Sequence, residues 1–184
     1  MSRTLVIGYG NLDRGDDGVA FEVINALRRK LGREPLDDED TGQAELGSET
    51  DTLFLRQLVP ELMDTAAEYD ELIFVDAHVG ENARELEWTP ILPELVPSAF
   101  THHVNPATFL ALIRALYDRS PAGYLLSIRG HEFDFCRSLS AATERMVGPA
   151  VEKILGRLSS EGRARAVGTL GRVDKAAGVS TNHG

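Results

Sequence analysis

The sequence predicts an α/β domain in three layers, a mostly parallel sheet with helices on both faces. Three observations lead there. Short apolar runs at residues 4–8 and 72–76, ended by Gly8 and by Asp76, suit strands buried on both faces of a parallel sheet. Stretches with helical spacing of apolar residues lie between the strand-like runs, and right-handed crossovers then place helices on both sides. A chain of 184 residues, 42% of them hydrophobic, can bury one substantial core and is short for two. The domain is expected over residues 1–160. Beyond Gly162 no hydrophobic period appears, so residues 161–184 are expected to form a flexible tail.

Taken in order, Thr4-Leu5-Val6-Ile7 reads as a central strand. After a loop from Tyr9 to Gly15, the residues Val19, Val23, Leu27 and Leu31 recur at a spacing of four. Ala20 and Ile24 lie beside them, and Glu22, Arg28 and Lys30 take the polar side of this first helix. Asp16 is placed to cap it, with Asp17 in its first turn. Residues 32–49 are polar and acidic, broken by Pro35, Gly42 and Gly47, and read as a solvated loop. Residues 51–58 suit a second strand, and Pro60 opens a helix through Leu62, Met63, Ala66 and Ala67. Leu72-Ile73-Phe74-Val75 forms the next buried strand. Residues 84–89 are a weaker strand candidate. Pro106 opens a helix carrying Leu110, Ile113, Leu116 and Tyr117, and residues 124–128 make a further strand. Ser138 or Ser140 caps a last helix reaching Leu158, which Pro149 is expected to kink or break.

Composition narrows the function. Acidic residues outnumber basic ones by 29 to 19, and the basic ones are scattered, which disfavours nucleic acid as a partner. No run approaches the ~18 apolar residues of a membrane span, and the start lacks a signal-peptide layout, so a cytoplasmic protein is expected. The single cysteine, Cys136, excludes an internal disulfide and reads as a small core residue.

The chemistry gathers at strand ends. The turn Gly8-Tyr9-Gly10-Asn11-Leu12-Asp13-Arg14-Gly15-Asp16-Asp17-Gly18 looks at first like a dinucleotide loop. It has Asp13 where the third glycine belongs, and two aspartates at the helix entrance would repel phosphates, so a sharp turn allowing close backbone approach is the better reading. Of the acidic pair, only one can cap the helix, and Asp17 is the freer. Asp76 ends a parallel strand, where open α/β sheets place ligands. If the strands at residues 4–8 and 72–76 are neighbours, Asp17 and Asp76 open onto one sheet edge. Thr101-His102-His103 then offers imidazole before a helix. Two carboxylates with one imidazole make a mixed oxygen and nitrogen set for a divalent transition ion. His78 is most simply a surface residue, and His131 and His183 lack comparable surroundings. No Ser-His-Asp or Cys-His arrangement is apparent.

The run Leu5-Val6-Ile7-Gly8-Tyr9-Gly10-Asn11 with Gly15-Asp16-Asp17-Gly18, then Ile73-Phe74-Val75-Asp76-Ala77, then Thr101-His102-His103, resembles the nickel-dependent hydrogenase maturation endopeptidases across about residues 3–158. A fourth block, residues 128–135 with Ser138-Leu139-Ser140, adds to the likeness without a ligand. The resemblance implies a five-stranded twisted sheet and a metal site of Asp17, Asp76 and one of His102 or His103. His102 is preferred, because counting from it puts Val104, Phe109, Leu110 and Leu112 where the family has apolar residues. It further implies an endopeptidase that trims the C-terminus of a hydrogenase large-subunit precursor, with nickel delivered in that substrate and the enzyme working as a monomer. A non-catalytic nickel-binding chaperone using the same ligands is the rival. The acidic loop at residues 32–49 departs from the family pattern in being longer.

Overall fold

The computed structural model describes residues 2–80, 84–96 and 104–159. Its elements are β1 (Thr4–Tyr9), α1 (Val19–Lys30), β2 (Thr50–Leu55), α2 (Met63–Ala66), β3 (Glu71–His78), β4 (Leu86–Ile91), α3 (Pro106–Tyr117), β5 (Ala122–Arg129) and α4 (Ala141–Leu158). Single 3-10 turns at Gly15–Gly18, Gln43–Glu45 and Pro60–Leu62 precede α1, β2 and α2. The strands form one sheet in the order β2-β1-β3-β5-β4, parallel except for β4, which runs antiparallel to β5 at one edge. Two units divide the chain: residues 1–151 carry the whole sheet, and the described part of 152–184 is the end of α4 with Ser159.

Both faces of the central strands are buried, which is why β1 and β3 read as unbroken apolar runs. On one face Leu5 and Ile7, Leu53, and Leu72 and Phe74 pack with Met63 and Ala66 of α2 and with Phe109, Leu110 and Ile113 of α3. Phe74 meets Phe109 edge-on, with ring centroids 5.8 Å apart. On the other face α1 lies over β1, β2 and β3, and Phe21 meets Phe54 edge-on at 4.9 Å. The expected layering and mostly parallel sheet are therefore present.

Boundaries moved where tertiary contacts outweigh local pattern. β3 runs two residues beyond Asp76 because its backbone continues to pair with β5 as far as His78 and Arg129. β4 begins two residues later than expected and holds Pro90, a residue tolerated in a sheet only at such an edge. Pro149 lies inside α4, which continues to Leu158 rather than stopping there. Of the two possible caps, Ser140 fills the role: its hydroxyl accepts from the Thr143 N–H and its carbonyl from the Glu144 N–H. Cys136 is half-buried in the loop before α4, its thiol 3.5 Å from the Ser138 carbonyl, and not a core residue.

Arg28 departs from the polar side predicted for it. It is 1% exposed, because the acidic loop folds over it: Nε donates to the Glu34 carbonyl at 2.6 Å, one terminal nitrogen to Thr52 Oγ1 at 3.1 Å and the other to Glu45 Oε2 at 2.7 Å. Leu36 is buried beside Asn25, whose amide group bonds both the Leu36 N–H and its carbonyl. Part of the loop is thus packed structure held by a buried guanidinium. Arg28→Ala is expected to cost about 2 kcal/mol, since Glu45 can turn to solvent while the buried acceptors cannot; urea denaturation measures it.

Candidate active site

The edge of the sheet where β1 and β3 end places the reactive groups. The two strands pair in parallel with Gly8 opposite Val75, so Tyr9 and Asp76 are the next positions outward. The Tyr9 hydroxyl donates to the Asp76 carboxylate. Burial pushes the Asp76 carboxyl up, the Tyr9 hydroxyl and the Ala77 N–H pull it back, the negative charge of Asp17 raises it again, and the outcome is about 7. Burial and the Asp76 charge likewise raise the Tyr9 phenol far above its ordinary value. Both carboxylates are half-buried at this edge.

Asp17 comes from the 3-10 turn before α1. Its carboxylate accepts from the Asn11 N–H at 2.8 Å, and the Asn11 side chain accepts from the Asp13 N–H at 3.0 Å, closing a compact turn. Gly10 makes this possible. A Cβ on it would lie 2.0 Å from the Asp17 carbonyl oxygen, so the close backbone approach expected of these glycines occurs at Gly10. Gly10→Ala is expected to lower stability by about 1–3 kcal/mol, read as a fall of several degrees in the thermal midpoint.

A cleft of about 430 Å³ opens at this edge, with Tyr9, Asn11, Asp17, Leu58, Asp76 and Val104 among its walls. A second cavity of similar volume lies along Ala77, Val79 and Phe133, on the opposite face of β3, and Asp17 and Arg14 border both. Asp17 and Asp76 are therefore brought together as the sequence suggested. His102 and His103 lie outside the described residues; Val104, which follows them in the chain, lines the cleft. Among the described residues no third histidine, cysteine or carboxylate completes a metal-binding group with the two aspartates.

Asp16 does not cap α1. Neither α1 nor the turn before it has a side-chain cap. The Asp16 side chain, fully buried, reaches instead to the segment after β5, accepting from the backbone N–H groups of His131 (2.7 Å), Glu132 (2.9 Å) and Ser140 (2.7 Å) and from the Ser140 and Thr143 hydroxyls (2.8 and 2.7 Å). Burial raises its carboxyl, but these donors outweigh it and hold the group at about 2. The neighbouring backbone joins in, Gly15 N–H to the Cys136 carbonyl and Asp16 N–H to the Glu132 carbonyl. Gly15 has φ +53°, and a Cβ there would meet the Glu132 carbonyl oxygen at 2.6 Å. The fourth sequence block thus buttresses the turn that presents Asp17. Arg137 extends the contact by pairing with Asp13 at 2.8 Å and with Asp38 of the acidic loop. His131 gains a partner the sequence did not indicate, Glu85, at 2.8 Å.

His78 is not a surface residue: it is half-buried, and both ring nitrogens are shielded from solvent. Tyr9 was also missed. A tyrosine ending a buried strand is a usable signal, because its hydroxyl needs a partner where apolar walls surround it.

No family model matches the chain. A search of curated proteins finds the hydrogenase 2 maturation protease of Escherichia coli, 25% identical over 166 residues, spanning 87% of this chain and 93% of that protein. Among solved structures, the hydrogenase maturating endopeptidase HybD from E. coli aligns over 87% of this chain and 94% of its own, with a TM-score of 0.63 and 25% identity. The chain is a homologue of the hydrogenase maturation endopeptidases. The [NiFe] hydrogenase maturation protease HybD from Thermococcus kodakarensis, at 18% identity and a TM-score of 0.56 over 86% of this chain, shares the fold. Both relatives are proteases by name, and the rival reading of this chain as a non-catalytic scaffold finds no support among them. As in sequence, no helix among the described residues is long and apolar enough to cross a membrane.

Proposed function

We propose that this protein is the endopeptidase that removes the C-terminal peptide of a hydrogenase large-subunit precursor once nickel has been loaded, acting as a monomer in the cytoplasm. The convergence of Asp17 and Asp76 in one cleft at the carboxyl edge of β1 and β3 carries the reading. Both are assigned as ligands and as catalytic residues, with His102 as the nitrogen ligand. Nickel belongs to the substrate in this scheme. The precursor presents its metal, the two carboxylates and the imidazole recognise it, and the scissile bond is thereby fixed at the cleft.

The two cavities that share Asp17 as a wall suit an extended chain crossing the sheet edge, with residues on either side of the cleaved bond held on opposite faces of β3. No serine, threonine or cysteine is among the described residues lining the cleft, so water is the proposed nucleophile: its oxygen bonds to the carbonyl carbon, the C–N bond breaks, and the amine leaves with a proton. Intact-mass measurement of the precursor with and without nickel, incubated with the purified protein, tests the reading. Loss of a C-terminal peptide from the nickel-loaded form alone is expected. Binding without cleavage would return the scaffold reading.

A further inference from the structure

Three arginines stand around the turn that presents Asp17, and two of them are engaged. Arg56 pairs with Asp13 at 3.5 Å, and Arg137 pairs with Asp13 at 2.8 Å and with Asp38. Arg14 is different. Its side chain is exposed, and among the described residues its guanidinium has no hydrogen-bond or ion-pair partner. Its backbone is nonetheless fixed: the N–H donates to the Asn11 carbonyl at 3.2 Å, the carbonyl accepts from the Asp17 N–H at 3.1 Å, and the N–H of Gly15, next in the chain, donates to the Cys136 carbonyl at 2.7 Å. An uncommitted cation thus springs from a rigid mount.

That mount lies on the border between two cavities. Arg14 and Asp17 are the residues that line both the cleft holding Asp76 and the cavity along Ala77, Val79 and Phe133. A peptide running from one cavity into the other passes these two side chains. Their chemistry is opposite, since a carboxylate accepts hydrogen bonds and a guanidinium only donates them. The carbonyl oxygen of a peptide bond only accepts, so of the shared pair Arg14 is the one to which it bonds.

We propose that Arg14 is a catalytic residue that holds the carbonyl oxygen of the bond to be cut and takes up the negative charge that forms on it. The inference rests on the reading of this edge as an endopeptidase site. As the water oxygen bonds to the carbonyl carbon, the π pair moves onto the carbonyl oxygen. When that pair returns, the C–N bond breaks and the surplus proton of the water leaves with the amine. The charge on the oxygen exists only between these two events. A guanidinium stays protonated throughout, and its N–H bonds strengthen as the charge grows, so it stabilises the transition state more than the bound substrate.

The test measures kcat and KM for the nickel-loaded precursor with the full-length parental protein, Arg14→Ala and Arg14→Lys, and repeats Arg14→Ala in millimolar guanidinium chloride. Arg14→Ala is expected to lower kcat roughly 100-fold with KM little changed, and to keep the parental thermal midpoint because the side chain holds nothing in the fold. Arg14→Lys, which keeps the charge and loses the fork of donors, should fall between the two. Free guanidinium ion should restore part of the rate to Arg14→Ala, a rescue that a merely structural role would not show. Parental kcat in Arg14→Ala, a defect confined to KM, or a kcat loss that neither lysine nor guanidinium relieves would overturn the assignment while leaving the endopeptidase reading in place. A parental protein that leaves the loaded precursor intact would remove that reading and this assignment with it.

Discussion

Asp17→Ala and Asp76→Ala are each expected to reduce cleavage of the nickel-loaded precursor by at least about 100-fold while the protein stays folded. The two side chains lie at the sheet edge and not in the core, and neither is needed to close a helix or to fill a layer. What each removes is a carboxyl group from the lining of the cleft. Asp17→Asn and Asp76→Asn separate shape from charge, since the amide keeps the size but loses the anionic oxygen that a cation prefers. Time-resolved mass spectrometry of the precursor measures the rate, and far-ultraviolet circular dichroism the fold. Wild-type processing by either variant would take that residue out of the site.

Asp16, the neighbouring carboxylate, should behave in the opposite way. Removing it leaves three backbone N–H groups and two hydroxyls without their acceptor in a dry interior. Asp16→Ala is therefore expected to destabilise the protein by roughly 3–5 kcal/mol, the range for stranding the partners of a buried charge. Hydrogen exchange at His131, Glu132 and Ser140 should accelerate ahead of the sheet amides. The same residue gives the fold an acid limit. Its carboxyl is held near 2, below the ordinary 3.8, so its contribution is complete above about pH 4 and declines as the pH falls toward 2. A displacement of about two pH units corresponds to ~2.5 kcal/mol, and the slope of urea midpoint against pH in that window should be shallower in Asp16→Asn. An unchanged slope would show that the carboxylate is not charged in the native state.

These three aspartates show how far the sequence could be read. β1 and β3 were legible because strands covered on both faces are continuous apolar runs, and Asp76 because a polar residue closed one of them. Asp17 was legible as the acidic residue left over once its neighbour was assigned a cap. The cap itself was a misreading: helix N-termini commonly hold aspartate, but Asp16 spends its oxygens on donors 115 to 127 positions away, and no local pattern reports such partners. Tyr9 and His78 were obscured for the same reason, since the bond between Tyr9 and Asp76 and the shielding of the imidazole exist only once β1, β3 and β5 lie side by side. Arg28 looked like an ordinary exposed arginine of an amphipathic helix until the acidic loop closed over it. β4 was displaced because half-exposed edge strands have weak periodicity.

The reversed outer strand bears on how the protein avoids its own copies at high concentration. An edge strand normally presents a row of free amides on which another molecule can extend the sheet, the first step toward insoluble aggregates. Here the outermost strand is short and carries Pro90, which has no amide hydrogen to lend to a newcomer. That edge of the sheet is thereby a poorer template for stacking, and replacing this one ring by valine should make the solution turn cloudy sooner on heating.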